Sequence, residues 1–136
     1  MNALVIFAVN VKAVASFYEA VLGLSPTPKP GDTKKDIRLG GKGLELLIHS
    51  IPPRIAKTIV IKSPPAARDI AAMKPVFDVK SLAKAEEQVA LRGGVVTKVT
   101  FTLDGLTRRE VLDPEGNVIQ LRSLSLIHIS EPTRPY

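Results

Sequence analysis

Few residues in this chain have types and spacing that could do chemistry. It carries no cysteine, which removes disulfides, thiolate metal sites and a cysteine nucleophile together. The two histidines are His49 and His128. His49 stands where an apolar run meets Pro52-Pro53, with no acid near it in sequence to orient a triad. A surface histidine is the simpler reading. Arg38 follows Asp36 on one side of an extended run. Its planar fork suits bidentate capture of an anion, although as a surface residue its stem would merely cover apolar area. Asp113-Pro114-Glu115-Gly116 gathers two carboxylates, yet Asp and Pro start a turn and Gly closes it, which accounts for all four residues. Gly40-Gly41 and Gly93-Gly94 lack the spacing and strand-to-helix setting of a phosphate loop, and read as a turn and a helix stop.

The chain that must position these residues is 136 long, 45% hydrophobic and formally +6. That size suits one domain or two small halves sharing a core, and the composition excludes wholesale disorder. No apolar run reaches the ~18 residues of a membrane helix, and nothing at the N-terminus suggests export, so a cytoplasmic location is expected. Lys and Arg scatter as singles and pairs (Lys34-Lys35, Arg108-Arg109) without interleaved aromatics. Nucleic acid is therefore not an expected partner.

Residues 3–9 form a β-branched apolar run that reads as a strand. Asn10 caps a helix whose stripe is Val11, Val14, Phe17, Tyr18, Val21 and Leu22, and Gly23 ends it. The proline-punctuated stretch 25–31 is loop or irregular edge strand. DIRLG and GLELLIH follow as strands about the Gly40-Gly41 turn. Residues 51–73 read as a linker with one possible edge strand at 55–62, bracketed by proline pairs. The order then repeats, ~70 residues on. PVFDV is a strand, Ser81 caps a helix with the stripe Leu82, Ala85 and Val89, and three strands follow at 95–103, 107–113 and 117–123. This predicts an α+β fold of two βαβββ modules, 1–50 and 74–122. A module too small to bury its own sheet face must pair with its twin, and two curved sheets would leave a cup for a ligand. Residues 123–136 hold two prolines among the last five and read as a cloning or read-through extension foreign to the fold. Setting them aside removes His128 and Tyr136, leaving His49 and Tyr18 as the only histidine and tyrosine of the body.

Two segments, NVKAVASFYEAVLGL at 10–24 and DPEGNVIQL at 113–121, resemble the vicinal oxygen chelate superfamily, which includes glyoxalase I, extradiol dioxygenases, and fosfomycin and bleomycin resistance proteins. The resemblance covers residues 3 to about 122. It implies paired modules around a cup, and a homodimer with modules paired within a chain or swapped between chains. It also implies a divalent metal held from the first and last strand of each module, at positions that here are Ala3, Glu45, Lys74 and Gln120. Alanine cannot ligate, and a charged lysine repels a cation. Glu45 and Gln120 alone are too few for a tight site. A slip of one residue substitutes Asn2 or Leu4 and Met73 or Pro75, none of them histidine. No metal, no cofactor and no catalytic residue are therefore expected.

The same positions can line a binding cup. Glu45 faces it if Leu44 and Leu46 face the helix, or else is merely solvated. Lys74 would meet Glu45 across the cup as an ion pair. Gln120 can donate and accept to orient a polar ligand. Phe7 and Val5 share a face with Ala3, as an apolar wall or as core. The ligand-binding set is thus Glu45, Lys74, Gln120, Arg38 and Phe7. Few aromatics and no tryptophan argue against a large stacked ligand; a small anionic one fits the positive groups better. A non-catalytic, sequestration-type binding protein is the favoured function. The alternatives are a metalloenzyme of the glyoxalase or dioxygenase kind with unusual ligands, and a protein-interaction scaffold whose cup is filled.

Overall fold

The computed structural model describes residues 2–68 and 72–124. The first module runs β1 (Asn2–Ala8), α1 (Val11–Leu22), β2 (Ser25–Pro26), β3 (Ile37–Gly41) and β4 (Leu44–Ser50). A single helical turn, α2 (Pro53–Ala56), follows. The second module runs β5 (Val76–Asp78), α3 (Leu82–Leu91), β6 (Val95–Leu103), β7 (Leu106–Leu112) and β8 (Val118–Leu124). Each module forms a four-stranded mixed sheet, ordered β1-β4-β3-β2 and β5-β8-β7-β6. In each, the module's first strand lies parallel to its last and the other pairings are antiparallel. This is the predicted α+β arrangement, with no closed barrel among the described residues. No helix among the described residues is long and apolar enough to cross a membrane.

The caps work as the sequence implies. Asn10 accepts from the Ala13 N–H and Ser81 from the Lys84 N–H, while Gly23 closes α1 in the left-handed conformation at φ 70°. Leu39, Leu46 and Ile48 of the first sheet, and Phe77, Val111, Ile119 and Leu121 of the second, are buried. They join Phe17, Tyr18, Ala85 and Val89 of the helices in one core. At Gly94 a Cβ would overlap the Leu112 carbonyl and the Phe17 ring, so this glycine permits the modules' close approach as well as following the helix stop.

Strand alternation leaves the other sheet faces open, with Phe7 59%, Val5 47% and Phe101 44% exposed. The core reading of Phe7 is thereby corrected: it points to the open side, edge-on to the His49 ring at 5.4 Å.

Three local expectations differ. The β3–β4 turn falls on Lys42-Gly43, both with positive φ, while Gly40 and Gly41 lie in the strand. A two-residue turn with φ > 0 at both positions matches the twist of the flanking strands. The edge strand at 55–62 is absent: Pro53 starts α2, and the amides of residues 55 to 59 bond to local carbonyls, leaving none for a ladder at that end. Finally, β8 continues through Ser123 and Leu124 opposite Thr107 and Leu106. The remainder of the assigned extension, 125–136, lies outside the described residues.

The Asp113–Gly116 turn does more than reverse the chain. Asp113 is fully buried. Its Oδ1 accepts from the Glu115 and Asn117 amides, and its Oδ2 accepts from Asn117 Nδ2 and the Tyr18 hydroxyl, both at 2.8 Å. Glu115, also buried, accepts from the Val9 and Asn10 amides at 2.9 and 2.7 Å. The turn of the second module therefore locks the start of α1.

Candidate functional site

On the open face of the first sheet, Ala3, Glu45 and Gly40 stand in one cross-strand row, Val5, Leu47 and Arg38 in the next, and Phe7 and His49 in the third. Arg38 donates from Nη1 to Glu45 at 2.9 Å and from Nη2 and Nε to Asp32 at 2.8 and 3.1 Å. Lys29 Nζ lies 3.0 Å from the second Glu45 oxygen. The network is balanced, two cations to two carboxylates. Hydrogen bonds from Arg38, then from the Lys29 amide, hold Asp32 down at about 2. The bond from Lys29 leads in lowering Glu45, and the Asp32 contacts raise Arg38 further above its already high value. Glu45 and Arg38 are brought together, as partners of each other.

On the second sheet, Val76, Gln120 and Glu110 share a row, and Asp78, Arg122, Arg108 and Phe101 the next. Lys74 Nζ sits 3.3 Å from Glu110, and Arg122 pairs with Asp78. Gln120 is buried and its Oε1 accepts from Arg108 Nη1 at 3.2 Å. Lys74 and Gln120 are thus neighbours of one carboxylate, Glu110. The expected ion pair between Glu45 and Lys74 does not form, because each finds an opposite charge on its own sheet at contact distance, where Coulomb attraction is strongest.

An apolar cleft of about 360 Å³ opens where the β1 edge meets segment 72–75 and the start of β8. Leu4, Val5, Phe7, Ile51, Met73 and Pro75 form much of its wall, and Arg68 and Asn117 are among its polar groups. Lys74 stands between two wall residues.

The four positions implied for a divalent metal do not fit one. Ala3 offers no donor, Lys74 brings a cation, Gln120 already receives Arg108, and the Glu45 carboxylate is taken by Arg38 and Lys29. Among the described residues, no three His, Cys, Asp or Glu side chains gather as a metal site would require.

Sequence reasoning missed the partner of His49. Its Nδ1 lies 2.9 Å from Asp36 Oδ2, and the acceptor fixes Nδ1 as the protonated nitrogen. The Ser50 amide, ahead of the His49 contact, holds Asp36 below its ordinary value. His49 is a surface histidine, as read, but one with an oriented ring. Arg108 was missed as well, since nothing in a scattered Arg-Arg pair tells which of the two turns outward. Arg109 faces α3 and bonds Glu86 at 3.0 Å; Arg108 takes the open side.

No family model matches the chain, and no curated protein matches it in sequence. Its likeness to solved structures is in the fold. A glyoxalase/bleomycin resistance protein/dioxygenase family enzyme from Burkholderia phytofirmans superposes with a TM-score of 0.66 at 16% identity, covering 90% of this chain and 97% of that one. A glyoxalase/bleomycin resistance protein from Albidiferax ferrireducens gives 0.65 at 16% identity, over 92% and 98%. The fosfomycin resistance protein FosX from Mesorhizobium loti gives 0.63 at 8% identity, over 96% of both chains. The fold is the one shared by these glyoxalase/bleomycin resistance neighbours, as the two sequence segments imply.

Proposed function

We propose that the chain is a small-molecule-binding protein, of sequestration rather than catalytic type, that uses no metal. The observation carrying this reading is the apolar cleft beside Phe7. Its volume and mostly apolar wall with a few polar groups are those of ligand sites in general. In this reading Phe7 packs against the ligand, and Lys74 and Gln120 orient its polar end. Glu45 and Arg38, bound to each other, hold the neighbouring strands in place. The protein works as a homodimer, as the family resemblance implies and as closed two-fold pairing commonly gives.

A thermal-shift screen of small molecules tests the proposal. A ligand that binds only the native state at ~100 times its Kd stabilises by ~2.7 kcal/mol, so a saturable rise in Tm is expected. Phe7→Ala and Lys74→Ala should fold normally, since both residues are exposed, and should weaken that rise. A shift indifferent to both variants would move the ligand elsewhere. About one equivalent of Ni, Zn, Fe or Mn in purified protein, lost in Glu45→Ala, would overturn the metal-free reading.

A further inference from the structure

The two open faces differ in charge balance. On the first sheet every charge of the Arg38 network has its opposite. On the second, Lys74 is matched by Glu110 and Arg122 by Asp78, and Arg108 is left over. Its one hydrogen bond among the described residues goes to a neutral acceptor, the Gln120 amide oxygen. Its Nε is sealed from solvent without any partner. A guanidinium with one N–H sealed and unpaired bears part of the desolvation penalty of a charged donor. Like charges directly opposite, as Arg108 and Arg122 are, add to it.

We propose that Arg108 receives an anion on the open face of the second sheet, apart from the residues that line the cleft beside Phe7, and that the ligand is a carboxylate carried on an apolar body. The charge argument selects a monoanion, because one cation is uncompensated and a phosphate dianion would need a second. Geometry selects a planar acceptor, since the guanidinium fork grips a carboxylate through paired N–H bonds. The surroundings select the body. Phe101 lies opposite Arg108, with its ring centroid 6.0 Å from Cζ, and Phe101, Leu103 and Val76 are each more than 40% exposed. Gln120 acts as a positioning residue, holding one Nη1 hydrogen; with Nε sealed, the Nη1–Nη2 edge is the one that a carboxylate can reach.

Isothermal titration of the full chain with 2-naphthoate, and with neutral 2-naphthamide, tests this. Naphthoate is expected to saturate at one per chain and naphthamide to bind at least tenfold more weakly. Arg108→Gln should bring naphthoate down to the amide's affinity, Arg108→Lys should recover part of the difference, and Arg54→Gln on α2 should change nothing. Arg108→Gln should also raise Tm in the absence of ligand, because a charge that lacks a partner is removed; a purely structural arginine would lower it. Equal binding of the two probes, or naphthoate binding indifferent to Arg108→Gln, overturns the inference while leaving a small-molecule site in place. Failure of both probes also overturns it, and the thermal-shift screen then judges the cleft by itself.

Discussion

Tyr18→Phe is the sharpest probe of how the two modules are joined. The hydroxyl donates to Asp113 Oδ2 at 2.8 Å across 95 residues of sequence, and both groups are buried. Removing one oxygen opens no cavity of consequence, so the effect isolates the hydrogen bond. Bonds to charged acceptors contribute ~1.5–3 kcal/mol. Asp113 Oδ2 keeps its bond from Asn117, which limits the penalty on the abandoned carboxylate, and the expected loss is ~2 kcal/mol, or roughly 6–10 °C in Tm. Asp113→Ala also strips the turn of its amide acceptor and should cost ~3–5 kcal/mol. A double-mutant cycle by urea denaturation, followed by circular dichroism, should return a coupling of ~1.5–2 kcal/mol. pH supplies a second readout. Burial first, then the Asp113 carboxylate, pushes the Tyr18 pKa well above its ordinary value. A folded pKa above the unfolded one stabilises fully below the unfolded value near ~10 and is lost as pH rises beyond it. Wild type should therefore weaken above pH ~10 more steeply than Tyr18→Phe. A coupling below ~0.5 kcal/mol, with parallel alkaline profiles, would refute the lock between modules.

Glu115→Gln keeps the shape of the group that holds the chain entering α1 but can offer only one acceptor to the Val9 and Asn10 amides; a loss of ~1–3 kcal/mol in chemical denaturation is expected. Asp32, held at about 2 by Arg38 and the Lys29 amide, stabilises above its unfolded pKa near ~3.9, and that contribution disappears as pH falls from there through the folded value. Carboxyl NMR titration should put its midpoint near the lower figure, and Asp32→Asn should flatten the acid side of the stability profile. Sedimentation velocity should show a dimer at micromolar concentrations; a monomer at high micromolar concentration would remove the proposed association.

What the sequence made legible follows from periodicity. The stripes on 11–22 and 82–89 and the alternation in 44–48 report which face is buried, and that face is decided by hydrophobic burial summed over many residues. Linker behaviour at 51–62 was harder to read, since Ile55, Ile59, Val60 and Ile61 have the composition of a strand. The preceding proline decides otherwise, by starting a helical turn that draws off the amides. The buried acids Asp113 and Glu115 were hidden for a different reason. Turn chemistry accounts for Asp113 completely at the local level, and a second role filled by a tyrosine 95 residues away leaves no mark on the turn itself.

The site was half legible, and the β3–β4 hairpin shows why. Placing the turn on Gly40-Gly41 would set Asp36 opposite Glu45, and Arg38 opposite Gly43. The turn on Lys42-Gly43 instead sets Ile37 opposite Ile48, which brings Asp36 beside His49 and puts Arg38 within reach of Glu45. Moving the turn by two residues shifts every partner by four, an even step that preserves the strand's period, so every side chain keeps its predicted face. Partners change completely. Glu45 and Arg38 therefore emerge on the open side as alternation demands, yet as a closed ion pair. Polar groups on that side can meet solvent, each other or a ligand, and these two meet each other. Arg108 differs, because register places a second arginine opposite it and it forms no ion pair among the described residues. Face is a property of one strand and can be read from it. Charge balance belongs to the row across strands, and only the register of all of them reveals which cation is left without a partner.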